Sequence, residues 1–146
     1  MPQRTKAGRP RTKTGADEKM NIARTWYDAT PMSDGISRIQ ERHVADWLRC
    51  NIWHVRGRDR DLIIDTGMGL RPLKAEIASL TERPVTAIVT HCHFDHSGGL
   101  HEFANRCGHR AEADIIASPT IQNTGVDFGY VRADTVTALP LSLIHI

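Results

Sequence analysis

The sequence predicts an α/β domain built in layers, and three observations predict it. Short β-branched apolar runs alternate with a helical stripe, the pattern of strand–helix–strand units. Two of these runs, residues 61–65 and 85–90, end directly in turns dense in glycine, histidine or aspartate. At 146 residues, 40% apolar and 25% charged, the chain has the length and composition of one modest globular domain.

Residues 1–19 hold six basic side chains against Asp17 and Glu18 and, apart from Met1, no aliphatic residue larger than alanine. They bury nothing and are expected to form a disordered basic tail. Gly8-Arg9-Pro10-Arg11 has the core of a minor-groove hook, but a short basic motif is weak evidence, and a solvated tail is the preferred reading. The rest carries 13 of the 19 basic and 15 of the 17 acidic residues, so the body is slightly acidic and the sequence points away from nucleic acid.

Structure is expected from Met20 to Pro140. Trp26 and Tyr27 anchor the entry, and Pro31, Ser33, Asp34 and Gly35 form a turn cluster. Residues 36–40 alternate as a half-buried strand. Residues 41–49 read as a short helix or a loop, with His43 at the surface. Residues 50–55 and 61–65 form two strands joined by a charged glycine turn, a hairpin, with His54 packed or exposed mid-strand. Asp65 then stands before Thr66-Gly67-Met68-Gly69, either as a site carboxylate or as a turn cap. A helix follows over 71–80 on the stripe Leu73, Ile77, Leu80. Residues 85–90 form the next strand. Ser97 is expected to cap a helix running to Asn105, with Leu100, Phe103 and Ala104 inward, and residues 114–117 to form a further strand.

The candidate site is His91-Cys92-His93-Phe94-Asp95-His96-Ser97-Gly98-Gly99. Three imidazoles and a carboxylate in six positions are the donors a borderline divalent cation prefers. His91 and His93 leave one face of an extended segment, while Asp95 and His96 follow where the chain turns. Cys92 points away from the pair and reads as packing. Three cysteines at unremarkable spacings suggest reduced thiols in a cytoplasm, with no apolar leader and no membrane span.

The H-x-H-x-D-H-S-G-G element, preceded by Leu62-Ile63-Ile64-Asp65-Thr66-Gly67 and a helix, resembles the metallo-β-lactamase-fold hydrolases over about residues 36–118. The resemblance implies an αββα sandwich. It implies that His91 and His93 ligate one zinc and Asp95 and His96 a second, with Fe or Mn as other possible metals, and that Asp65 supports the pair. It further implies hydrolysis of an ester, thioester or lactone in a small-molecule acyl substrate, through water activated on the metal, with Asp95 receiving the proton. A nucleic-acid phosphodiesterase of the same fold and a non-catalytic zinc module are the alternative readings.

The family's three later ligands have no counterpart here. Among the downstream histidines, His101 is expected to be solvated, and His109 comes too soon after the motif to be a ligand. The last six residues, 141–146, read as a non-native apolar end that looks like translated sequencing adapter. The chain is therefore expected to be the N-terminal half of a sandwich. One sheet face would be bare, and the polypeptide would be aggregation-prone and inactive by itself.

Overall fold

The computed structural model describes residues 21–120 and 135–140; the basic tail and residues 141–146 lie outside them. The strands are β1 (Asn21–Ala23), β2 (Tyr27–Ser33), β3 (Ile36–Glu41), β4 (Ile52–Val55), β5 (Asp61–Ile64), β6 (Val85–Ile88), β7 (Asn105–Cys107) and β8 (Ala138–Pro140). The helices are α1 (Leu73–Glu76), α2 (Phe94–Ser97) and α3 (Ala113–Ala117). No helix among the described residues is long and apolar enough to cross a membrane.

One mixed sheet of six strands runs in the order β2-β3-β4-β5-β6-β7. Pairing is antiparallel from β2 to β5 and parallel from β5 to β7. β1 and β8 form a separate parallel pair. The β2–β3 hairpin turns on Asp34 and Gly35, both at positive φ, as a tight two-residue link requires. β2 is an edge strand, and its Pro31 and the register shift between Pro31 and Ser33 discourage further pairing. The turn cluster expected at 31–35 is thus partly strand.

Period-2 alternation sends Ile39, Ile52, Ile63, Val85 and Ala87 into the core, under Trp26, Leu73, Leu80, Leu100 and Phe103. Ile36, Trp53, Val55, Leu62, Ile64 and Ile88 alternate to the opposite face and are only half-buried. One face of the six-stranded sheet is therefore buried in the core, and the other is only half-buried.

Several local expectations are corrected. The helix expected over 71–80 breaks at Ile77 (φ −103°, ψ 95°) into α1 and a 3-10 turn, Ala78–Thr81, which still buries Leu73 and Leu80. Ser97 is the last residue of α2 rather than a cap; its hydroxyl donates back to the carbonyls of Cys92 (3.1 Å) and His93 (3.0 Å). A 3-10 turn, Leu100–Glu102, follows, and Ala104 is exposed. The next strand is β7, whose exposed Asn105, Arg106 and Cys107 lack any apolar signal. Residues 114–117 lie in α3, and four residues are too few for periodicity to separate helix from strand. Glu41 closes β3 and residues 42–49 form turns, with Val44 bridging Val136.

Glu102 reaches back to α1. Its carboxylate accepts from the backbone N–H groups of Leu73 and Lys74, each at 2.9 Å, supplying the N-terminal cap that Pro72 lacks. Glu102→Ala should destabilise the fold by about 1–2 kcal/mol, read as a lower urea midpoint at unchanged slope. An unchanged midpoint would show that this cap is dispensable.

Candidate metal centre

The site lies at the carboxyl ends of β5 and β6, where an open sheet leaves room for a ligand. β5 stops because Asp65 adopts a left-handed conformation (φ 62°), which aspartate tolerates better than most residues. This turns its buried carboxylate back across the sheet end. Oδ1 accepts from the Thr90 N–H at 2.8 Å, both oxygens lie 3.0 Å from the Thr90 hydroxyl, and Oδ2 lies 2.8 Å from His96 Nδ1. Asp65 thus ends the strand, and its carboxylate faces both Thr90 and His96.

These contacts set the imidazole tautomers. An ionised carboxylate only accepts, so His96 carries its proton on Nδ1 and turns an unprotonated Nε2 outward. By the same rule the Thr90 hydroxyl donates to Asp65. Its oxygen, 3.0 Å from His91 Nδ1, then accepts from that nitrogen and leaves His91 Nε2 unprotonated as well. One carboxylate thus orients two histidines, one of them through Thr90.

The rings converge. His91 lies 4.5 Å from His93 and 4.2 Å from His96 between centroids. His96 Nε2 is 3.4 Å from Asp95 Oδ2. The four motif residues are thus brought together, as three imidazoles and one carboxylate on a solvent-accessible rim. Among the described residues no group of three or more such side chains closes tightly enough to hold a metal by itself. Imidazole nitrogens and a carboxylate are donors that suit a transition metal.

The backbone beneath is close-packed. Thr66 donates its N–H (2.7 Å) and its hydroxyl (3.0 Å) to the His96 carbonyl, and the Gly98 N–H donates to the Gly67 carbonyl at 2.9 Å. A Cβ at Gly98 would fall 2.2 Å from the Met68 carbonyl oxygen. The 65–69 turn and the 96–99 segment therefore lie backbone against backbone.

The other histidines among the described residues stand apart. His54 is buried and pairs with Asp61 Oδ2 at 2.9 Å, at the opposite end of β5 from Asp65. His43 is half-buried, 5.4 Å from the Trp26 ring. His101 and His109 are exposed, bonded to the Gly98 carbonyl and the Ala111 N–H. All three cysteines are free. Burial, and after it Glu112, raises the Cys92 thiol, which keeps its proton and suits packing better than ligation. A groove of about 620 Å³ shares Met68, Cys92 and Phe94 with this region and continues over Leu100, Cys107 and Ile116.

Two side chains bonded to the 65–69 turn escaped the sequence reading. Thr90 was legible only as the end of a strand. Glu41 had a signal: it follows Ile39 on the core-facing alternation of β3, a position where a carboxylate is out of place.

Comparison with known proteins agrees with this geometry. A family model described as the metallo-beta-lactamase superfamily matches residues 45–143. Acyl-coenzyme A thioesterase MBLAC2 of Homo sapiens is 43% identical over 104 residues, covering 63% of this chain and 37% of that protein. Its Gallus gallus counterpart is 44% identical over 97 residues, covering 60% and 35%. The chain spans a little over a third of the length of the curated relatives it matches. Among solved structures, a metallo-beta-lactamase from Pontibacter korlensis aligns with TM-score 0.53 at 18% identity, over 64% of this chain and 48% of that one. FIM-1 from Pseudomonas aeruginosa, in its mono-zinc form, aligns with TM-score 0.51 at 18% identity, over 78% and 49%. At these identities the structural likeness is one of fold. The chain belongs to the metallo-beta-lactamase superfamily.

Proposed function

We propose that the protein carrying this chain is a metal-dependent hydrolase of acyl thioesters, acting in the cytoplasm on a small acyl-CoA-like molecule. The observation that carries the metal reading is the convergence of His91, His93 and His96 with Asp95, two of the rings having tautomers set by Asp65. The thioester choice, over an ester or lactone, draws on the relatives named acyl-coenzyme A thioesterase.

His91 and His93 would hold one metal and Asp95 and His96 a second, zinc being the first choice and Fe or Mn the others. When bound, such a metal acts as a Lewis acid, polarising a carbonyl and lowering the pKa of water towards neutrality. Asp95 stands ready to take the proton of the attacking water on its carboxylate. Thr90 and Asp65 hold His91 and His96 in place. The apolar groove bordering the motif offers surface to an acyl chain.

The test is acyl-CoA hydrolysis, followed as thiol release, by the protein at the full length of its gene. Asp95→Ala should lower kcat/KM at least 100-fold with circular dichroism unchanged. Activity that survives both Asp95→Ala and a strong chelator would reject the reading.

A further inference from the structure

Glu41 ends β3 with 1% of its surface exposed, and no ion pair joins it among the described residues. A buried carboxylate without a cation is costly unless its oxygens are hydrogen-bonded. Here each oxygen has one donor. Oε1 accepts from Trp26 Nε1 at 3.0 Å and Oε2 from the Met68 N–H at 2.9 Å. Burial pushes the group up to about 7; the two hydrogen bonds pull it back, and the charge of Asp95 pushes it up again. Tyr27 and Cys50 also face it, both raised chiefly by burial, Cys50 to about 12. An apolar residue would fill this place at less cost, so the carboxylate calls for a reason.

The turn above it supplies one. Gly67 sits at φ 72°, and a Cβ there would fall 2.8 Å from Glu41 Oε2 and 2.9 Å from Cδ. The turn is moulded on the carboxylate. Its other side grips the motif, through Thr66 to the His96 carbonyl and through the Gly67 carbonyl to the Gly98 N–H. Glu41 and His96 thus hold opposite sides of one short turn, with Asp65 at its start.

We propose that Glu41 is a positioning residue for the metal-binding loop, fixing the Gly67–Met68 backbone and thereby the placement of Asp65 and His96. This rests on the metal reading above. A merely structural Glu41 would support the fold through Trp26 and leave the metal site indifferent to it, except through global stability.

Zinc affinity and the visible spectrum of the cobalt(II) form, measured on the same protein as the activity test, separate the two roles. Glu41→Gln keeps the volume but can accept from only one of the two donors while its NH2 opposes the other. It should weaken zinc at least tenfold and alter the cobalt spectrum. Trp26→Phe removes the other donor and should lower the melting temperature while holding zinc affinity within about twofold of wild type. Wild-type affinity and spectrum in Glu41→Gln overturn the proposal, as does an affinity loss that tracks melting temperature in both variants. A wild-type protein that binds no zinc overturns the metal reading and the proposal together. Should Glu41→Gln fail to fold, the wild type still decides: zinc should slow exchange of the Met68 amide proton, and an unchanged rate counts against the coupling.

Discussion

Gly98→Ala is expected to destabilise the chain by about 3 kcal/mol or more and to abolish zinc binding. Gly98 is helical (φ −59°, ψ −38°), so backbone freedom is not the reason. The reason is contact. The added Cβ would lie 2.2 Å from the Met68 carbonyl oxygen, 2.3 Å from its carbon and 2.8 Å from the Phe94 carbonyl oxygen. All three are backbone atoms, and the two turns that would have to part are joined by the Gly98 N–H to Gly67 and by Thr66 to His96. Chemical denaturation and a zinc competition assay check both halves. An alanine variant with wild-type midpoint and affinity would show that the turns are looser than described.

Asp65→Asn is expected to weaken zinc binding by about 10- to 100-fold while leaving the chain folded. Asparagine tolerates the positive φ at this position, so the strand still ends as it should. What changes is the acceptor inventory. The carboxylate faces the Thr90 N–H, the Thr90 hydroxyl and His96 Nδ1, and an amide keeps only one accepting oxygen. Its NH2 group facing His96 would favour a proton on Nε2, where a metal needs a lone pair. Thr90→Val removes only the relay to His91 and should cost less than Asp65→Asn. Equal affinities in wild type and Asp65→Asn would refute the tautomer argument.

The motif and its strand were legible because both are local. A β-branched run delivers a dense cluster of ligating side chains, and β6 with its H-x-H-x-D-H continuation needs no partner to be recognised. The β4–β5 hairpin and the carboxylate at the end of β5 were legible for the same reason. What did not read correctly depends on contacts far along the chain. α2 starts inside the motif because the glycines after it pack on the 65–69 turn, some 30 residues earlier. β7 has no apolar face, and only its place beside β6 makes it a strand. In the sequence Glu41 is the first residue of a segment that reads as a short helix or a loop. Its meaning appears only when Trp26 and Met68 are brought to either side of it.

The central claim is that His91, His93, Asp95 and His96 form the metal centre, and thermal unfolding of the protein used in the activity test, with and without zinc, tests it most directly. Ligand that binds only the folded state at 100 times its Kd adds about 2.7 kcal/mol of stability, so zinc should raise the melting temperature of the wild type by several degrees. The double variant His91→Ala/His96→Ala should melt at the same temperature with and without the metal. A zinc-dependent rise of equal size in that variant, or none in the wild type, would contradict the assignment.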